Sequence, residues 1–178
     1  MKVILLITLL FISINPLFSP NYQLKYTNVH KPIHKLKRIE FCIEKYNSKI
    51  LRLERSKYNS VNELGCIGVY QFAPITLKHF NIDIDIEEFK KNPEIFPIDK
   101  QVKLFVKYTK YHEKLLQKYI NKYDNTYYNG IYVTKAGILA MAHLSGVGGV
   151  KAYFNKGITK KDMNGTSVTK YLKEFENG

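Results

Sequence analysis

The sequence predicts a mainly α-helical single domain from about residue 35 to residue 178. Three observations carry this. Leu36, Ile39, Ile43, Tyr46, Ile50 and Leu53 recur at alternating steps of three and four, the period of one helical face. A second apolar stripe of Val102, Phe105, Val106, Leu115, Leu116, Tyr119 and Ile120 follows Pro97. Glycine, Asn and Ser clusters punctuate the remainder, and only Ile82–Ile86 alternates as a strand would.

The elements follow in order. Lys2 precedes the apolar run Val3–Ile12, so residues 1–20 read as a secretory signal or an N-terminal anchor. The run is shorter than the ~20 residues that span a bilayer. Residues 21–34 read as a linker. The first helix is expected from Lys35 to near Lys57–Asn59, with Cys42 inside it. A second helix is expected to begin around Gly65-Cys66-Ile67-Gly68 and carry Tyr70 to His79. Ile82–Ile86 fits a short strand or a loop, and Glu87–Lys91 a loop or one helical turn. Pro97 opens a long helix, and Asn129-Gly130 marks a turn. Thr134 caps a helix through Ala136–His143, which Gly146, Gly148 and Gly149 break. A short helix then holds Val150–Phe154 and ends at Gly157. Asn164-Gly165-Thr166-Ser167 caps the last helix, through Tyr171, Leu172 and Phe175.

The 28 Lys and Arg against 15 Asp and Glu give a formal charge of +13. That balance favours a polyanionic partner, and the excess is spread through Lys-rich helical stretches. Export makes nucleic acid a poor partner and points to the envelope, in the periplasm or outside the cell. Cys42 and Cys66 are the only cysteines; export permits a disulfide, and two buried free thiols is the other reading. They lack the paired His spacing of a metal site.

The chemistry concentrates around Glu54. On the first helix it shares the face of Ile43 and Ile50, within about 40° of both at ~100° per residue. A carboxyl held against apolar side chains is disfavoured as an anion, which suits a proton donor at neutral pH. The alternative is a helix-end glutamate paired with Arg55 or Lys57. The turn Gly65-Cys66-Ile67-Gly68 lets backbone approach closely, through a positive φ or tight contact at Gly68. Tyr70 and Gln71 then offer a stacking face and hydrogen-bonding groups for a sugar ring.

The segment "ERSKYNSVNELGCIGVYQFAPITLK" resembles the catalytic segment of the soluble lytic transglycosylase and goose-type lysozyme superfamily, in its phage-like bacterial branch. A helix-end Glu, a Gly-x-x-Gly-x-x-Gln turn and a Pro-x-Thr helix correspond to Glu54, Gly65/Gly68 with Gln71, and Pro74/Thr76. "AGILAMAHLSGVGGVKAYF" resembles the helix and glycine loop lining the family's sugar cleft. "NGTSVTKYLKEF" resembles its closing segment. Arg55 stands where the family usually has Ser, Val69 where it commonly has Lys or Leu, and His143-Leu144 where many members have Tyr-Asn.

The resemblance implies a lysozyme-like fold over residues 35–178 and a peptidoglycan lytic transglycosylase with a single catalytic Glu54. That reaction cleaves between N-acetylmuramic acid and N-acetylglucosamine, closes a 1,6-anhydro ring and consumes no water. It implies sugar contacts from Gly68, Tyr70 and Gln71 on one wall and His143, Gly146 and Gly148 on the other. Tyr171 lines the cleft or packs the last helix. No metal or cofactor is expected. The expected partners are peptidoglycan strands, with an envelope or secretion apparatus as a further association, and the chain is expected to be a monomer. Two other readings remain. One is a muramidase on the same fold, with a second acid among Glu63, Asp83, Asp85 and Asp99. The other is a non-catalytic glycan-binding envelope protein.

Overall fold

The computed structural model describes residues 41–162 and 164–177, which belong to one compact unit, Lys37–Gly178. The expected export segment and linker, and residues 35–40 of the first expected helix, lie outside the described residues. The chain is mainly helical. Its order is α1 (Ile43–Glu54), α2 (Pro74–His79), α3 (Ile86–Lys91), a 3-10 turn (Pro93–Ile95), α4 (Ile98–Tyr123), β1 (Thr126–Tyr128), β2 (Ile131–Val133), α5 (Lys135–Lys156) and α6 (Val168–Glu174). Among the described residues, no helix is long and apolar enough to cross a membrane.

The centre of the fold is the first half of α5. Ala136 to Ala142 are all buried, and a helix apolar on every side can only sit inside. It packs between α4 and α6. α4 contributes Leu104, Phe105, Leu116 and Ile120, and α6 contributes Val168, Tyr171 and Leu172. α6 comes close because Gly137 has no side chain. A Cβ there would sit 2.8 Å from Leu172 Cδ1 and 3.2 Å from the Leu172 carbonyl. Tyr46 of α1 joins this core by stacking on Phe105, with centroids 5.5 Å apart.

The two expected caps are present. The Thr134 hydroxyl accepts from Gly137 N at 3.0 Å, and the Ser167 hydroxyl from Lys170 N at 3.2 Å. Other boundaries differ. Cys42 is the N-cap of α1 in extended conformation, not a residue within a helix. α1 stops at Glu54, before Lys57, because Arg55 turns left-handed at φ 53° and its N–H closes on Leu51 O. Ser56 to Phe72 is a loop crossed by the bridges Val61–Ile67 and Ile67–Phe72. Tyr70 is therefore not helical; the helix waits for Pro74 at its first position, where a missing N–H costs nothing.

Ile82–Ile86 forms no strand. Asp85 caps α3 by accepting from Glu88 N at 2.7 Å, so Ile86 begins a helix. The Asn129-Gly130 turn joins two short antiparallel strands that the sequence reading did not anticipate. Of the three glycines expected to break α5, only Gly146 departs from helical geometry, at φ 66° and ψ 178°.

Candidate active site

Glu54 is the last residue of α1, and the left-handed Arg55 turns the chain away immediately after it. Its side chain therefore projects from a helix end, and only 14% of it is exposed. The Ser56 hydroxyl donates to the Glu54 carbonyl at 3.2 Å and holds that end in place. Two donors converge on one carboxyl oxygen. Tyr171 Oη donates to Oε1 at 2.8 Å, and His143 Nε2 lies 3.2 Å from the same atom. Oε2 takes no hydrogen bond from a described residue and is not buried.

Three distant pieces of chain make this cluster: the end of α1, the middle of α5 and the face of α6. His143 is 94% buried, edge-on to Phe105 and Tyr108 at 5.8 and 6.1 Å between centroids. Its Nδ1 is buried without a hydrogen-bond partner among the described residues. The contact with Glu54 assigns a proton on Nε2 to that bond.

The electrostatics correct one expectation. Burial does push the Glu54 carboxyl up, but hydrogen bonding from His143, the field of its imidazole and the Tyr171 hydroxyl outweigh burial. The carboxyl is held below its ordinary value, so the empty site holds a carboxylate. Tyr171 is pushed the other way, by burial and then by the Glu54 charge, and keeps its proton.

A cavity of about 370 Å³ opens over Glu54. Ser56, Asn62, Leu64, Cys66, Tyr70, Gln71, His143, Leu144, Asp162 and Asn164 also line it. Gln71 has φ 49°, and its Nε2 donates to Gly68 O at 2.8 Å. Gly68 sits behind this wall with φ 76° and is not a lining residue. Tyr70 has no free ring face. It is fully buried, stacked on Phe105 at 4.3 Å, and its hydroxyl donates to Asn47 Oδ1 at 2.7 Å. The expected stacking face is thus spent on the core, and Tyr70 touches the cavity only from beneath. Gly146 and Gly148 are not lining residues either. Tyr171, left open between cleft and packing, does both: its ring is buried and its hydroxyl reaches Glu54.

The four acids weighed as a second carboxylate do not line this cavity. Asp85 caps α3, and Asp99 pairs with Lys103 on the surface of α4. Asp83 lines two other hollows, of about 420 and 580 Å³, beside Asn81 and Ile84. Asp162 does line it, and sequence reasoning missed it. It lies just before the Asn164-Gly165 turn, where its Oδ1 accepts from Thr166 N at 2.7 Å. An Asp ahead of an Asn-Gly pair reads first as turn chemistry.

Cys66 is on the cavity wall and Cys42 at the start of α1; both are free and half-buried. Burial pushes the Cys66 thiol up, so it stays protonated. Among the described residues, no cluster of three His, Cys, Asp or Glu could hold a metal. Comparison with protein-family models, curated proteins and solved structures finds no match to this chain.

Proposed function

We propose that the chain is a peptidoglycan lytic transglycosylase with a lysozyme-like fold, exported to the cell envelope, in which Glu54 is the catalytic acid and base. The observation that carries the reading is the placement of Glu54. A helix-end carboxyl faces an open cavity through one oxygen, while Tyr171 and His143 fix the other. The sequence motif around it supplies the substrate class.

The free carboxylate is the base form, and the reaction begins with the acid form. A glycan filling the cavity removes water from Oε2, and desolvation pushes a carboxyl up. Glu54 then donates its proton to the glycosidic oxygen as the bond from that oxygen to the muramyl C1 breaks. The C6 hydroxyl oxygen of the same sugar bonds to C1, and its proton passes to Glu54. The anhydro ring closes, Glu54 ends protonated as it began, and no water enters. Tyr171 and His143 orient the carboxyl and stabilise it while it is charged. Gln71 and Asn62 present polar groups from the loop wall.

Asp162 supports a second reading, hydrolysis by two carboxylates, because it is a second acid on the cavity wall among the described residues. Mass spectrometry of fragments released from purified peptidoglycan separates the two. Anhydromuramyl ends are expected from the wild type. Glu54→Gln is expected to lose about 10²–10⁴-fold in rate with its fold intact. Reducing ends, together with an equal loss in Asp162→Asn, would replace the lyase by the hydrolase. No release of fragments by the wild type would remove both.

A further inference from the structure

The positive charge that looks scattered in the sequence is phased in the structure. α4 contains Lys100, Lys103, Lys107, Lys110, Lys114, Lys118 and Lys122, all of them exposed. At ~100° per residue these seven fall within an arc of about 120°, and at 1.5 Å per residue they run for about 33 Å. The arc lies on the side away from Phe105, Thr109, His112 and Leu116, which face the core.

The two acids of α4 fall outside the arc. Asp99 pairs with Lys103 at its edge, and Glu113 turns to Lys135. Among the described residues, Lys107, Lys110, Lys114 and Lys118 form no ion pair. The sum is a basic strip in which Asp99 pairs with Lys103 and Asp83 shares a hollow with Lys100, Lys103 and Lys107.

We propose that this lysine strip docks the protein on an anionic lipid bilayer. The chemistry of the strip selects that partner. Its cations are all lysines, point charges without the planar fork that grips single phosphates bidentately. Tyr111 is the one aromatic within the arc, and its ring is engaged with His79 and Phe80 at 4.6 and 5.9 Å. No free ring is left among the lysines for stacking nucleic-acid bases. At ~100° per residue the lysines spread across the whole arc, with Lys110 at one edge and Lys122 at the other, so they form a band and not a single line. A planar surface meets both edges at once, whereas a single polymer chain follows one. A cluster of this size on one helix face suits acidic headgroups. The sequence also carries the apolar run Val3–Ile12, and an apolar segment with a polybasic face is a pairing that holds proteins at membranes. The proposal is independent of the glycan reading.

The test is co-sedimentation of the full-length chain with vesicles of phosphatidylcholine alone or mixed with phosphatidylglycerol. Binding is expected to the mixed vesicles, in excess of that to neutral ones, and to fade as salt screens the strip. Replacing Lys107, Lys110, Lys114 and Lys118 together by Gln keeps helix propensity and is expected to weaken that binding about 100- to 1,000-fold. The same four replaced by Arg retain it. A control with Lys151, Lys156, Lys160 and Lys161 changed to Gln loses equal net charge from elsewhere and is expected to bind within about threefold of wild type. Equal binding to both vesicle types overturns the proposal, as does equal loss in the two Gln variants. So does preference for a single-stranded oligonucleotide or soluble polyphosphate over the mixed vesicles.

Discussion

Gly68 and Gly65 both sit at positive φ, 76° and 71°, in the same loop, and they differ in what a side chain would meet. A left-handed backbone costs a residue with a Cβ about 1–2 kcal/mol, and Gly65→Ala incurs little else. Its new Cβ lies 3.5 Å from Ile86 Cδ1 and 3.6 Å from Pro74 Cγ, ordinary contact distances. Gly68→Ala drives a Cβ into the Gln101 carboxamide, with Cδ only 2.7 Å away. Gln101 is fully buried and ties three strands of chain together. Its Oε1 accepts from Val69 N at 2.9 Å, and its Nε2 donates to Tyr58 O and Phe96 O at 2.8 Å each. Displacing it strands buried backbone groups, each worth about 1–3 kcal/mol when left unpaired. Gly68→Ala is therefore expected to cost about 3–5 kcal/mol in all, a large share of a typical 5–15 kcal/mol. The chain has no Trp, so urea unfolding followed by helix circular dichroism is the assay, with the denaturant slope checked for constancy. Equal costs for the two variants, within about 0.5 kcal/mol, would refute the role given to Gln101.

Three further outcomes are expected. His143→Phe removes a donor from Glu54, so the carboxyl rises. The step needing protonated Glu54 fails as pH climbs through its pKa, so the basic limb of the rate profile moves to higher pH; an active variant with an unmoved limb would free Glu54 from His143. Tyr171→Phe keeps the buried ring but loses the 2.8 Å bond to Oε1, and about tenfold in rate should go with it. Wild-type turnover in that variant would reduce Tyr171 to packing. His112 lies against Tyr108, and burial, with His143 and His79 adding to it, lowers its pKa to about 4 from 6.5. The unfolded chain binds that proton first, so stability is full above about 6.5 and falls as pH drops towards about 4, by at most about 3 kcal/mol. Glu54, held low, adds its own loss only below about 4.5. His112→Phe should flatten the upper window, and an unchanged slope there would place the loss elsewhere.

What the sequence determined by itself is what local chemistry decides. The three-four spacing from Ile43 to Leu53 and from Val102 to Ile120 marks helices because a helix brings those positions to one side. Thr134 and Ser167 announce helix starts because a hydroxyl there satisfies an N–H a few atoms away. Gly68 announces a positive φ for the same local reason. Glu54 could be placed near a helix end ahead of a glycine turn, since its motif is contiguous, although the helix was expected to run on to Lys57–Asn59.

Only the tertiary structure decided the rest. Tyr171 reaches Glu54 across 117 residues, and nothing near either residue encodes that bond. Tyr70 reads as a sugar-stacking ring until Phe105 is seen against it. Asp162 enters the site because its turn folds back over the cavity. The carboxyl's direction also reversed: the apolar face next to Glu54 argued for a raised pKa, but its two hydrogen-bond donors arrive from helices far along the chain. Periodicity and capping act over a few residues and can be read in a line. Burial and electrostatics sum over neighbours in space, and the packing of α5 and α6 chooses those neighbours.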